Sequence, residues 1–169
     1  MRLSTRGRYA VMALVELAAR TQDHPPKDGS IASCAKLPRR SDGSAGRPVS
    51  LSEIAQAQLL SVAYLEQLFA RLRRAGLVAS ARGPGGGYRL ARPAEAISIG
   101  AIIEAVDEPI VATRCAEGTP GCLAGNRCRT HDLWDELGAQ ISLFLFHISL
   151  ADVVEGRICG RALPPRTLP

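Results

Sequence analysis

Residues 50–92 read SLSEIAQAQLLSVAYLEQLFARLRRAGLVASARGPGGGYRLAR. Two helical patterns are followed here by two strand-like runs on either side of a glycine-rich turn. Ser50 and Glu53 have the spacing of a capping box, which predicts a helix over residues 51–57. A second helix is predicted over residues 62–74. This order of elements indicates a helix-turn-helix motif followed by a β-hairpin.

The second helix is predicted to bury one apolar stripe and to expose a polar face. Ser61 is its N-cap and Gly76 its stop signal. The predicted buried stripe is Leu65, Leu68, Phe69 and Leu72. The opposite face carries Ala63, Gln67, Ala70 and Arg74, flanked by Tyr64, Glu66, Arg71 and Arg73. A solvated helix face is one interpretation of this pattern. The other is insertion into a DNA groove, because Arg recognises guanine, Gln recognises adenine and Ala permits close approach.

The hairpin is predicted to form a wing. Residues 77–81 and 88–90 have strand character, and the glycine-rich run between them can only be a loop. A nucleotide-binding loop is excluded because no Gly-Lys-Ser/Thr follows and the next element is a strand. An arginine-bearing wing contacts phosphates or a minor groove. The candidate DNA contacts are therefore Ser61, Tyr64, Glu66, Gln67, Arg71 and Arg74 on the helix, and Arg82, Gly83 and Pro84 on the wing.

The N-terminal part contributes a further helix and an insertion. An amphipathic helix is predicted over residues 5–20, with a core stripe of Val11, Leu14, Val15 and Ala18. Arg2 and Arg8 lie at its start, where basic residues oppose the helix dipole, so we add both to the DNA contacts. Residues 23–47 are rich in Pro, Gly and Ser and indicate a flexible surface insertion. We assign residues 1–95 to a winged helix-turn-helix domain.

Charge is distributed unevenly along the chain. Residues 1–92 contain 15 Lys/Arg and 6 Asp/Glu, a net charge of +9, whereas residues 93–169 contain 6 and 10, a net charge of −4. The first half is therefore expected to meet a polyanion, because counterion release supplies most of the sequence-independent affinity for nucleic acid. A membrane surface is the competing polyanion.

The sequence also indicates a compartment. No run approaches the roughly 20 apolar residues that span a bilayer, and no secretory signal is evident, so we expect a cytoplasmic protein without a membrane partner. Thiols stay reduced in the cytoplasm. The five cysteines therefore favour metal binding or redox chemistry over a disulfide framework.

The second half, residues 96–169, is predicted to hold a loop and a dimerisation helix. A helix over residues 99–106 places Ile102, Ile103 and Val106 in the core. A long helix is predicted over residues 131–149, and its second half is apolar nearly all round, which one small subunit cannot bury. A homodimer solves this problem. The predicted fold is mainly α with a small β-hairpin wing: a winged helix-turn-helix plus a long dimerisation helix.

Between these helices lie Cys115, Cys122, Cys128 and His131, within 17 residues. Thiolates with imidazole suit either zinc or an iron-sulfur cluster, so ligand type leaves both open. Structural zinc sites usually use close C-x2-C knuckles, whereas six and five residues separate these cysteines, which leaves room for a larger inorganic core. A redox thiol set is the remaining possibility. A Cys-His nucleophile fits poorly because it leaves two thiols unexplained.

Several stretches resemble the IscR-type iron-sulfur cluster regulators, a family of winged-helix bacterial repressors. They are MRLSTRGRYAV (residues 1–11), YLEQLF (64–69), RGPGGGY (82–88) and the cysteine loop running into THDLW (130–134). The resemblance implies a homodimer that binds an operator in double-stranded DNA and represses cluster-assembly genes when its 2Fe-2S cluster is present. It implies Cys115, Cys122, Cys128 and His131 as ligands, cluster-assembly machinery as the donor, and a tuning role for Glu66.

The chain departs from this family's pattern at three places. The insertion is longer, Leu59 stands where the turn commonly has a smaller residue, and the first two cysteines are separated by six residues rather than five. Two other classes stay open: a repressor that responds to nitric oxide or iron, and an iron-sulfur electron-transfer or metalloenzyme component. His131 favours the cluster-sensing branch over three-cysteine relatives. We expect a regulator and not an enzyme.

Overall fold

The computed structural model describes residues 5–21, 47–107 and 128–158. Apart from a two-stranded antiparallel hairpin, these residues are mainly helical. The elements, in chain order, are α1 (Thr5–Thr21), α2 (Leu51–Gln58), α3 (Val62–Arg74), β1 (Val78–Ala81), β2 (Gly87–Leu90), a 3-10 turn (Ala94–Ala96), α4 (Ile99–Ala105), α5 (His131–His147) and α6 (Leu150–Val154). Most of the predicted insertion over 23–47 lies outside the described residues.

Helix α2 begins with the predicted capping box. The Glu53 amide donates to the Ser50 hydroxyl at 3.2 Å, and the Glu53 carboxylate accepts from the Ser50 amide at 2.8 Å. The bonds from Ser50, with an ion pair to Arg47, lower the pKa of Glu53 from 4.5 to about 2. The helix ends at Gln58, and Leu59 follows in the left-handed conformation, with φ 53° and ψ 43°. That conformation closes the turn of the helix-turn-helix.

Helix α3 has the predicted bounds and the predicted core stripe. The Ser61 hydroxyl accepts from the Tyr64 amide at 3.5 Å, which confirms Ser61 as the N-cap. All four residues of the stripe are buried. Phe69 meets the ring of Tyr88 edge-on, with ring centroids 4.8 Å apart, and so joins α3 to the hairpin.

The hairpin forms next to the segment that precedes α2. Val78 pairs with Leu90 and Ala81 with Gly87, so each strand is displaced by one residue at its start from the predicted 77–81 and 88–90. Val49 extends the hairpin through two backbone bonds to Tyr88, of 2.8 and 2.9 Å. A Cβ atom on Gly87 would lie 2.4 Å from the Val49 carbonyl oxygen. This glycine is therefore required for the close approach of the two backbones.

One hydrophobic core joins the described elements. Helix α1 packs against α2, α3, α4 and α6, and β2 also contacts it. Its buried residues are Gly7, Ala10, Ala13, Leu14, Leu17 and Ala18. Of the predicted stripe, Leu14 and Ala18 are buried, whereas Val11 and Val15 are half-buried at its edge. Small residues occupy the centre because α1 has neighbours on several sides. The predicted division at residue 95 stays a prediction.

The helix predicted over about residues 131–149 is confirmed, except that it ends two residues earlier than predicted. Helix α5 stops at His147, Ile148 is extended, and α6 starts after Ser149. The Ile148 carbonyl accepts from the Ile99 amide at 2.9 Å, and the Ser149 hydroxyl caps α6 by accepting from the Asp152 amide at 3.1 Å. The bond from Ile99 and the local cap of α6 together replace the next turn of α5. The helix predicted over 99–106 is likewise confirmed to within one residue.

No helix within 5–21, 47–107 or 128–158 combines the length and the apolar character that a membrane span requires.

Candidate nucleic-acid interface and metal centre

The exposed face of α3, which we call the reading helix, carries side chains that are predicted to contact DNA. Ala63, Glu66, Gln67 and Arg74 are exposed, and Ala70 is half-exposed. The Nε group of Arg74 donates to the Ala70 carbonyl at 3.3 Å, which leaves the terminal guanidinium nitrogens for an external acceptor. The core stripe anchors the opposite side of the helix. The arrangement therefore fits a helix that is inserted into a groove by its polar face.

Tyr64 is held by the first helix of the chain. It is half-buried, and its ring meets that of Tyr9 edge-on, with centroids 5.9 Å apart and an interplanar angle of 88°. Such aromatic pairs orient both rings. Tyr9 was missing from the predicted site because its partner lies more than 50 residues away. In the sequence, Tyr9 was marked only as part of the MRLSTRGRYAV stretch (residues 1–11) that resembles the family.

The wing exposes Arg82, Gly83 and Pro84 at its tip, as predicted. The Gly86 amide donates to the Gly83 carbonyl at 2.9 Å, and Gly83 has a φ of 107°, a conformation that favours glycine. The tip is thus a tight turn fixed by its own backbone. Through Tyr88 in β2, the wing packs against Phe69 of α3.

The arginines at the start of α1 and on the flank of α3 differ in their partners. Arg8 is exposed at the start of α1. Arg71 forms an ion pair with Asp107 at the end of α4. Arg6, which was not predicted as a contact, donates to the Val106 carbonyl at 3.4 Å. Arg2 lies outside the described residues.

Two of the four predicted metal ligands are described and lie at the start of α5. Cys128 is a half-buried free thiol, and its Sγ atom lies 3.4 Å from the Thr130 hydroxyl. The His131 amide donates to the Cys128 carbonyl at 3.1 Å, which closes a turn between the two residues. Cys115 and Cys122 lie outside the described residues. Within the described ranges, no group of three His, Cys, Asp or Glu residues is arranged to hold a metal ion.

The donor set agrees with an iron-sulfur cluster in its chemistry. Thiolates are the usual ligands of such clusters, and imidazole replaces thiolate on one iron in some 2Fe-2S centres. Cys128 lies three residues before His131, the first residue of the 17-residue helix α5. The turn between Cys128 and His131 places one thiol and one imidazole group at the same end of α5.

The reading face of α3 and the wing fixed beside it define a winged-helix DNA-binding protein. The chain belongs to the Rrf2 family, whose model, described as an iron-dependent transcriptional regulator, matches residues 40–156. This assignment confirms the predicted fold and the predicted DNA-binding transcription regulator.

Relatives and solved structures agree with that assignment. The chain is 47% identical over 157 residues to the HTH-type transcriptional regulator IscR of Yersinia pseudotuberculosis, covering 93% of this chain and 81% of the relative. T. potens IscR has a TM-score of 0.65 at 32% identity and covers 98% and 94% of the two chains. CymR of B. subtilis, described as the global cysteine regulator, has a TM-score of 0.67 at 30% identity, with coverage of 92% and 98%. All three are regulators, so the electron-transfer and enzyme alternatives fall away.

Proposed function

We propose that this regulator is a homodimer that binds operator DNA according to whether a 2Fe-2S cluster is bound to Cys115, Cys122, Cys128 and His131. The observation that carries the proposal is the turn that joins Cys128 and His131 at the start of α5. It lies in a chain 47% identical to a regulator named IscR. When bound, the cluster supplies a redox-active centre that is sensitive to iron and oxygen supply.

The DNA contacts follow from exposure and charge. Glu66, Gln67 and Arg74 on α3 face the bases, and Ser61 and Tyr64 lie at its first turn, next to the phosphates. Arg71 lies on the flank of the same helix. Arg82, Gly83 and Pro84 contact the backbone or the minor groove from the wing, and Arg2 and Arg8 contact the backbone from the N-terminal end. Glu66 accepts from cytosine N4 or repels base edges that do not fit, and so adjusts which operator is bound.

A second copy of the chain is the proposed partner of α5. Among the described residues, none in α5 is buried within the subunit. Leu133, Leu137 and Phe144 are 62%, 41% and 44% exposed, and their spacing of four and seven residues places them on one face. A two-fold interface along this face would also set two reading helices at the half-site spacing of an operator.

The proposed cellular role follows from cluster-dependent operator binding. We propose that the loaded dimer represses cluster-assembly genes in the cytoplasm and that the assembly machinery supplies the cluster. Loss of the cluster then relieves repression. Such a response requires the loaded and cluster-free forms to differ in operator affinity, because a ligand shifts an equilibrium only through its different affinity for two states.

Anaerobic purification tests the cluster. We expect a coloured protein with about two irons and two sulfides per subunit, as the composition of a 2Fe-2S cluster requires. Cys115→Ala, Cys122→Ala and Cys128→Ala should each lose the visible spectrum. Cys34→Ala and Cys159→Ala are matched controls that should keep it. A colourless protein that contains zinc would overturn the cluster. An unchanged spectrum in His131→Ala would remove His131 as an obligatory ligand.

Operator binding tests the regulation. The loaded and cluster-free proteins are titrated with operator and with nonspecific DNA at one salt concentration, because phosphate contacts make affinity strongly dependent on salt. We expect a difference of at least fivefold between the two forms on the operator. Equal affinities would overturn cluster sensing. If only nitric oxide, or only iron chelation, removes the cluster, the protein is a repressor that responds to that signal.

A further inference from the structure

The residue that ends the α4 turn is held against the reading helix. Asp107 forms an ion pair with Arg71, 36 positions earlier in the chain. Its backbone has a φ of 57°, and its amide donates to the Glu104 carbonyl at 2.9 Å. The carboxylate is therefore presented by a closed helical turn. Arg71 in turn projects from α3, whose opposite side is buried in the core.

The turn that carries Asp107 is also held by a bond from α1 and by the core. Val106 is fully buried, and its carbonyl accepts a hydrogen bond from Arg6 at 3.4 Å. Helix α4 also packs against α1 and α3. Two arginines from separate helices thus converge on residues 106–107. The position of the Asp107 carboxylate relative to α3 is set by the core of the domain.

The energetics of this ion pair favour a role in positioning. The Asp107 side chain is 76% exposed, and exposed ion pairs contribute little to folding stability. A free arginine side chain, however, loses rotamer entropy when it is immobilised on a ligand, and an ion pair that already orients it lowers this cost. The ion pair uses the Nη1 end of the guanidinium, and the remaining N–H groups stay available to DNA. The expected role of the ion pair is therefore to orient Arg71 for DNA and not to stabilise the fold.

We propose that Asp107 is a positioning residue for DNA binding: it holds Arg71 in the orientation from which the guanidinium contacts the operator. This inference rests on the proposed role of Arg71 in DNA binding. Asp107 also directly precedes residues 108–127, which include Cys115 and Cys122. The ion pair therefore lies next in the chain to the segment that holds two of the proposed cluster ligands.

The sign of the effect separates positioning from simple charge repulsion. Asp107→Asn removes one negative charge while keeping the shape of the side chain, and Asn accepts the left-handed conformation. Long-range electrostatics alone would make this variant bind DNA more tightly. Positioning predicts weaker operator binding, by about three- to tenfold, because Arg71 must be ordered on contact. Glu104→Gln is the matched control, since Glu104 is exposed on the same helix and forms no ion pair in the described part of the chain.

A double-mutant cycle decides whether Asp107 acts through Arg71. Operator affinity is measured for the wild type, Asp107→Asn, Arg71→Ala and the double variant, with circular dichroism melting and sedimentation as folding controls. We expect Asp107→Asn to have no further effect once Arg71 is absent, which is the coupling that such a cycle isolates. Tighter or unchanged binding by Asp107→Asn would overturn the proposal, and so would an equal loss in the Arg71→Ala background. A variant Asp107→Gly, also compatible with the left-handed backbone, should repeat the result if Asn misfolds.

The same cycle distinguishes this proposal from cluster sensing. The affinities are measured for the loaded and the cluster-free wild-type protein and variants. If the wild type binds the operator equally in both forms, cluster sensing fails, while the cycle still judges the positioning of Arg71. If the wild type responds to the cluster, we expect Asp107→Asn to reduce the ratio of the two affinities at least twofold. An unchanged ratio would overturn the connection from residues 108–127 to α3.

Discussion

The DNA-reading part and helix α5 differ in where their apolar side chains go. In α3, Leu65, Leu72 and Phe69 are fully buried by neighbours in the same subunit. In α5, Leu143 is 52% exposed and Trp134 41% exposed, and none of the described residues of the helix is buried. The reading part thus completes its core alone. Among the described residues, helix α5 presents an apolar surface that is left uncovered.

This difference suits a protein in which one part is rigid and the other receives a signal. The wing, α3 and α1 are joined by Tyr88 and Tyr9, so the reading surface does not depend on dimerisation for its shape. The proposed ligands Cys128 and His131 lie instead at the start of α5, the helix whose apolar side chains are exposed. A change at the ligands would therefore act on the relative placement of complete reading units.

The largest effect is expected in the core of the reading part. Phe69→Ala should lower the free energy of unfolding by about 3–5 kcal/mol, because it removes a fully buried ring and its contact with Tyr88. Urea unfolding followed by circular dichroism measures the change. Val62→Ala, at a 38% exposed position of the same helix, should cost less than about 1 kcal/mol. Equal costs would contradict a closed core around Phe69.

The next effect concerns the exposed face of α5. Leu137→Glu should raise the dimer dissociation constant at least tenfold, or about 1.4 kcal/mol, because an unpaired carboxylate would be buried at the proposed interface. Sedimentation velocity over a range of protein concentrations measures it. Gln56→Glu adds the same charge at an exposed position of α2, outside α5. A wild-type monomer, or equal weakening by both variants, would contradict the interface.

A smaller effect is expected at the capping box of α2. The pKa of Glu53 lies below its usual value, at about 2, chiefly because of its bonds from Ser50. A depressed carboxyl pKa stabilises the folded state above the unfolded pKa of 4.5, and this contribution is lost as the pH falls toward 2. Glu53→Gln should therefore lower stability at neutral pH and make the melting temperature less dependent on pH between these values.

Melting curves from neutral pH to pH 2 test this prediction, with Ser50→Ala as the partner variant. Removing the N-cap should cost about 1 kcal/mol at neutral pH. The pH dependence of both variants should then be flatter than that of the wild type. An acid limb as steep in Glu53→Gln as in the wild type would assign the acid sensitivity to another group.

The smallest expected effect has the opposite sign. Leu59 is 92% exposed and has a φ of 53°, so it combines backbone strain with an uncovered apolar side chain. Leu59→Gly should raise the free energy of unfolding by about 0.5–1 kcal/mol, since glycine adopts this conformation without strain. Gly156→Ala is the mirror control: its φ is 70° with open space around a Cβ atom, so strain alone should lower stability. A lower stability of Leu59→Gly would mean that this leucine has a stabilising contact.

Much of the reading part could be predicted because its signals are local. Ser50 and Glu53 cap each other three residues apart, and the α3 stripe repeats at helical spacing, so neither needs knowledge of the rest of the fold. The end of α5 has a local signal and a distant one. Ser149 and Asp152 form a capping box that starts α6, which the sequence analysis missed, whereas the bond of the Ile148 carbonyl from the Ile99 amide joins segments far apart in the chain.

The candidate site divides along the same line. The exposed face of α3 and the tip of the wing follow from local patterns, and so does the pairing of Cys128 with His131 near a helix start. Tyr9 against Tyr64 and Asp107 against Arg71 join residues far apart in the chain. No periodicity encodes such contacts, so they became visible only once α1 and α4 were packed on α3.

By itself, the sequence determined the winged helix-turn-helix, the basic reading face and the set of three cysteines and one histidine, because capping, periodicity and ligand chemistry are properties of neighbouring residues. The tertiary structure decided which arginines are already paired and which apolar face one subunit leaves uncovered. Those outcomes depend on packing between distant segments, where each side chain competes for partners that its own neighbourhood in the chain does not name.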